Sequence, residues 1–280
     1  MIDALAETLD GITVVALVQN IPGPVSAARL RALGAHVTKI EPLRGDPLEL
    51  ASASWYAAVS NGIEIVRLDL REPGALRTLD ALLAPADVLL TSVRARSLER
   101  IGASWDSLHA RYPRLIHVAI SGEAPPHDDR AGHDLTYQAH AGTIAPPAMP
   151  RTLVGDMAAT ERAVSATLGA LLLRERTGRA TRVDVSITGA AADFAQPYRY
   201  GLTRADGSLG GALPTYAIYP AEDGWIALAA LEPHFIERLQ QLLGIEVLTH
   251  EALREVFVRR SAAEWERLGE QHDVPLAAIR

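Results

Sequence analysis

No cysteine occurs in the 280 residues. That excludes disulfides, thiolate nucleophiles and Cys-ligated metals. Aromatics supply only 5% of the chain against 48% hydrophobic residues overall, so the core must be mainly Ala, Leu, Ile and Val. There is no basic block, and the formal net charge is -7. Phosphate backbones need clustered Lys and Arg, so nucleic acid is not an expected partner. The longest apolar run, residues 163–173, contains Ser165 and Thr167 and is too short to span a bilayer. The N-terminus carries Asp3, Glu7 and Asp10 in place of a basic, apolar leader. No HExxH or clustered ligand spacing marks a metal site. A soluble cytoplasmic protein with no membrane partner is the expectation, long enough for one large domain or two modest ones.

What is present alternates. Residues 12–18, 36–41, 64–69, 87–91 and 115–120 read as strands, rich in β-branched and aliphatic residues. A turn at residues 19–24 opens a helix through Leu33, which Gly34 ends; Pro73 starts another helix that runs to about Ala84. This order predicts a mostly parallel α/β sheet with right-handed crossovers. The first strand–helix turn lacks G-x-G-x-x-G and carries Pro22 and Pro24, which disfavours a nicotinamide or flavin site. Beyond residue 120 the spacing predicts a helix over 160–175, closed by Arg176-Thr177-Gly178-Arg179, then a strand over 183–187. Asp223-Gly224 between two alternating runs signals a hairpin, and residues 234–243 and 261–270 read as helices. A domain boundary is expected near 185–215, giving a large domain over 1–195 that carries the reactive stretch and a smaller one over 196–280.

Three places hold the candidate chemistry. Arg130-Ala131-Gly132-His133-Asp134 puts an imidazole beside a carboxylate after a strand-like run, Asp156 follows in Val154-Gly155-Asp156, and Glu232 lies in Leu231-Glu232-Pro233. Each also has a plain structural reading. Asp134 and Asp156 suit helix N-caps, the latter for the helix starting at Thr160, and Glu232 suits a helix start. Arg176 and Arg179 suit a helix C-terminus, and His36, His117 and His140 suit structural or surface roles.

In this order and over nearly the whole chain, these pieces resemble the family III CoA-transferases, and within them the alpha-methylacyl-CoA racemase branch. Further matching segments are Gly23-Pro24, residues 33–42, Gly45-Asp46-Pro47, Leu68-Asp69-Leu70, Ala86-Asp87-Val88-Leu89 and Leu231-Glu232-Pro233-His234-Phe235. The resemblance implies a Rossmann-like domain plus a smaller α+β domain in an interlocked homodimer. It implies an acyl-CoA substrate, with coenzyme A entering as part of that substrate and no tightly bound cofactor. In the racemase reading, His133 and Asp156 face opposite sides of the α-carbon of a 2-methylacyl-CoA, one removing a proton and the other returning one, and Glu232 orients the histidine. In the alternative, CoA transfer between carboxylic acids, Asp134 attacks the thioester and forms an anhydride. Arg94 and Arg96 would hold CoA phosphates.

The chain also departs from the family pattern. Met157-Ala158-Ala159-Thr160 replaces a glycine-rich stretch, so added methyl groups are expected against the thioester. Asn61-Gly62-Ile63-Glu64 supplies no basic residue, and Glu64 is expected to repel phosphate. The smaller domain reads as shortened at its C-terminal end. A non-catalytic, degenerate member is therefore the remaining alternative.

Overall fold

The structure is a computed structural model and describes residues 3–280. The chain divides into two compact units, residues 1–195 and residues 196–280.

In the first unit, strands and helices alternate as β1 (Thr13–Leu17), α1 (Pro22–Ala32), β2 (His36–Glu41), α2 (Pro47–Ala51), α3 (Ala53–Ser60), β3 (Glu64–Arg67), α4 (Pro73–Leu83) and β4 (Val88–Thr91). There follow α5 (Ala95–Arg100), α6 (Trp105–Arg111), β5 (Ile116–Ser121), α7 (Asp134–Ala141), α8 (Val154–Thr177), β6 (Arg182–Ser186) and α9 (Ile187–Phe194). The six strands form one parallel sheet in the order β3-β2-β1-β4-β5-β6. Both faces are covered. Val14, Ala16, Val88, Leu90, Ile116 and Val118 join a core with residues of α1 and α8. Their alternates Val15, Leu17 and Leu89 join a second core with Leu79, Leu83, Leu98 and Leu108 from α4, α5 and α6. Two-sided burial explains why these strands read as unbroken aliphatic runs.

The strand order reverses between β1 and β4. Crossovers leave β1 toward β2 on one side and enter β4 on the other, so a crevice opens at the carboxyl ends of these two strands. Ser92, just after β4, closes its floor: Oγ accepts from the Gln19 N–H at 3.0 Å and donates to the Gln19 carbonyl at 3.2 Å.

The helix expected over 160–175 starts six residues earlier, at Val154. Its N-cap, Leu153, offers no side-chain acceptor. The acceptor comes from α7, where Asp134 Oδ1 takes the Asp156 N–H at 2.9 Å. One of the orphan donors of the first turn is thus satisfied by a residue distant in sequence. Asp156 is inside that turn, not the cap of a helix at Thr160. Asp134 is likewise the first residue of α7, whose N-cap is His133.

The second unit holds α10 (Gln196–Arg199), β7 (Tyr216–Pro220), β8 (Trp225–Ala229), α11 (Pro233–Leu243), α12 (His250–Phe257), α13 (Ala262–His272) and β9 (Leu276–Ala278). The strands make an antiparallel sheet in the order β7-β8-β9. Asp223-Gly224 ends the connection between β7 and β8, and the Ala221 N–H donates to the Gly224 carbonyl at 2.8 Å. The sheet packs through Tyr219, Ile226, Leu228 and Leu276 on Leu239, Leu253, Phe257 and Trp265. No helix among the described residues is long and apolar enough to cross a membrane.

Candidate functional site

Two neighbouring clefts open at the carboxyl edge of the parallel sheet. The smaller, about 270 Å³, is bounded by the turn after β1, the segment after β4 and the loop that leads into α7. Gln19, Ser121, Arg94, Arg130, His133, Tyr137 and Asp156 are among its lining residues. The larger, about 660 Å³, is walled by Leu43, Leu68, Leu70, Leu76 and Ile101, with Arg44, Arg71 and Arg100 on it. Gln19 and Val93 line both.

The first unit therefore brings His133 and Asp156 to one cleft. His133 is exposed at the start of α7, where the Thr136 hydroxyl fixes its backbone, accepting from the His133 N–H at 3.2 Å and donating to its carbonyl at 2.8 Å. Asp156 is 9% exposed. Its position at a helix N-terminus favours the charged form, but burial, and after it the charge of Asp134, raise its pKa to about 7. Desolvation and a like charge win over the helix dipole here. Asp156 can thus hold or release a proton near neutral pH.

Asp134 is placed differently. It is 4% exposed and is absent from the cleft wall. One oxygen takes the Asp156 N–H and the other takes the Gln138 amide at 2.5 Å. Acting as a nucleophile, the role the resemblance implied, would require it to leave both donors. Glu232 belongs to the second unit, where it is the exposed N-cap of α11 and makes no side-chain cap bond.

Arg94 lines the cleft as the N-cap of α5. Arg96 pairs with Asp129 at 2.5 Å. The methyl groups of Ala158 and Ala159 turn into the core of the first unit and leave the cleft clear, contrary to the expectation that they would crowd a thioester. Glu64 opens β3 at the amino edge of the sheet and accepts from the Thr38 hydroxyl at 3.0 Å, so it does not face the clefts.

Several lining residues escaped the sequence reading. The Tyr137 ring lies against Gly122 and Gly132; a Cβ at Gly132 would come within 2.5 Å of it. Burial first, then the nearby Asp156 and Glu123 charges, raise the Tyr137 pKa, so its hydroxyl keeps its proton in the cleft. Gln19, Asn20, Arg44, Arg71 and Arg100 follow the ends of strands or sit on the next helix, where sheet topology alone points to ligand contacts. Among the described residues no cluster of His, Asp and Glu suits a metal ion.

Residues 9–280 match the model of CoA-transferase family III, and the chain belongs to that family. It is 30% identical to the succinyl-CoA–D-citramalate CoA-transferase of Chloroflexus aurantiacus, over 84% of this chain and 65% of that protein. It is 29% identical to human alpha-methylacyl-CoA racemase, over 85% of this chain and 65% of that one. The chain thus spans just under two thirds of the length of these two curated relatives. A crystal structure of Rv3272 from Mycobacterium tuberculosis superposes with a TM-score of 0.84 at 25% identity, covering 97% of this chain and 83% of that one.

Proposed function

We propose that this family III CoA-transferase chain acts on acyl-CoA thioesters, and that its reaction is racemisation at the α-carbon of a 2-methylacyl-CoA. The observation that carries this reading is the shared cleft of His133 and Asp156. A proton beside a thioester is only weakly acidic, so its removal needs a base within hydrogen-bond reach and a donor for the enolate oxygen. Inversion needs a second group that returns a proton to the other face. Asp156, with a pKa of about 7, suits either half of that exchange, and an imidazole suits the other half. Tyr137 and Gln19 are among the lining residues able to donate to the developing oxyanion.

The larger cleft suits the nucleotide end of coenzyme A. Its leucines offer apolar contact to the base, and Arg44 and Arg100 offer charge to the phosphates. Gln19 and Val93, common to both clefts, mark where the pantetheine arm would pass. A homodimer and a role for Glu232 in orienting the histidine belong to the same reading.

CoA transfer is the second reading. What supports it is the Chloroflexus relative, named a CoA-transferase, and a cleft carboxylate that can attack a thioester. Of Asp134 and Asp156, Asp156 is the one on the cleft wall, which supports it as that carboxylate. The two readings part on one experiment. The protein is incubated with (2R)-2-methylacyl-CoA, the chirality of the recovered thioester is followed, and the intact protein mass is read. Loss of chirality with no added mass supports racemisation. Retained chirality with an adduct on Asp156 supports transfer, and retained chirality with neither adduct nor CoA binding contradicts both.

A further inference from the structure

Lys39 is the only lysine in the chain, and it is 1% exposed. Its ammonium donates to Glu41 Oε1 at 2.9 Å and to Asp46 Oδ2 at 2.6 Å, and both carboxylates are buried as deeply. Tyr56 adds a hydroxyl to Glu41 Oε1 at 2.9 Å. A buried ionic cluster of this kind is weak evidence for stability by itself, because desolvation offsets most of the attraction. Its geometry points elsewhere. Asp46 Oδ1 accepts from the Leu48 N–H at 2.9 Å, capping α2, and from the Asn20 N–H at 3.1 Å.

Asn20 has φ 68°, the left-handed region. It lines the smaller cleft and follows Gln19, whose two backbone groups are held by Ser92. The turn after β1 is therefore fastened from two sides, by Ser92 from β4 and by Asp46 from the loop after β2. With its backbone so fixed, the turn places Gln19 and Asn20 on the cleft wall.

We propose that Asp46, fixed by Lys39, is a positioning residue for the reaction: it holds Asn20 in the left-handed conformation and so sets where Gln19 meets the thioester. The inference rests on the acyl-CoA reading given above. Lys39 keeps Glu41 as a partner when Asp46 is removed, which favours a folded variant.

The test compares Asn20→Gly with Asn20→Ala. Both lack the amide, so any contact it makes cancels. Only glycine takes a positive φ without steric cost. Positioning predicts that kcat for the alanine variant lies at least about fivefold below that for the glycine variant, with similar KM. Asp46→Ala is expected to lose about tenfold or more in kcat while binding free CoA within about threefold of the parent, and Asn20→Gly on that background restores part of the loss. Amine-reactive labelling of Lys39 reads whether the cluster has opened. Equal rates for the glycine and alanine variants overturn the proposal, as does a loss of kcat and CoA binding in parallel with the folded fraction. If Asp46→Ala does not fold, the Asn20 pair decides alone. Absence of any CoA-thioester turnover in the parent protein defeats the acyl-CoA reading itself, and the positioning role falls with it; turnover in the parent with equal Asn20 variants defeats only the positioning role.

Discussion

The Asp156 N–H donates to Asp134 Oδ1 at 2.9 Å, so the carboxylate that lines the cleft is held by one buried behind it. Asp134 completes the first turn of α8 and sets the height at which Asp156 enters the cleft. It also adds negative charge behind it, the second cause of the raised Asp156 pKa. The two acids are placed differently, one buried under the first turn of α8 and one on the cleft wall.

Asp134→Asn tests that division. The variant keeps an acceptor for the Asp156 N–H and removes the charge. The Asp156 pKa is then expected to fall, moving the corresponding limb of the pH–kcat/KM profile to lower pH while measurable activity remains. Asp156→Asn is expected to lose about a hundredfold or more. Loss of all activity in Asp134→Asn, with the fold retained by circular dichroism, would return the nucleophilic role to Asp134.

Stability should carry the same signature. The folded-state pKa of Asp156, about 7, lies above the ordinary aspartate value of 3.8. Between these values the native state binds more protons than the unfolded chain, so its contribution is full below pH 3.8 and is lost as pH rises through 7. The melting temperature of Asp156→Asn minus that of the parent should therefore rise from pH 4 and level off above about pH 7. A pH-independent difference would contradict the raised pKa.

His117 gives the opposite slope. It is 1% exposed and shares a 3.0 Å hydrogen bond with the Thr91 hydroxyl, and burial lowers its pKa to about 3. A depressed imidazole contributes stability above its unfolded value of 6.5 that is lost as pH falls toward 3. His117→Leu should flatten the acid limb of the stability curve over that window. An unchanged acid limb would show that His117 does not carry the acid sensitivity.

Much of this architecture was legible. Strands β1, β4 and β5 announced themselves as aliphatic runs because they are buried on both sheet faces, and Pro73 marked the start of α4 because proline needs no donor there. The start of α8 was not legible, because the acceptor for its first turn is Asp134, twenty-two residues before Asp156, and not a neighbour. The nucleophilic role expected at Asp134 falls on a residue that is buried and absent from the cleft wall, because a sequence shows a carboxylate beside a histidine but not which one turns inward. The effect of Ala158 was misjudged because helix phase, fixed by that unseen start, turns its methyl into the core. Asn20 was hidden because its role lies in a backbone angle and in a bond from the loop after β2.

Packing around Tyr137 supplies a further test. Gly132→Ala puts a Cβ within 2.5 Å of the ring, which is rigid and enclosed. The variant should lose about 1–3 kcal/mol of stability and most of its activity. Tyr137→Ala on that background should recover stability but not activity, giving a non-additive cycle in thermal unfolding. Additive losses would mean that the ring is free to move aside.

The most direct measurement of the two-base account is α-proton exchange in heavy water, followed by NMR on each enantiomer of a 2-methylacyl-CoA separately. The parent should exchange both. His133→Ala should still exchange the enantiomer whose proton faces Asp156, and Asp156→Asn should exchange only the other, each with retained configuration. That complementary pattern would place the two groups on opposite faces of one carbon. Exchange of neither enantiomer by the parent, or the same enantiomer surviving in both variants, would contradict it.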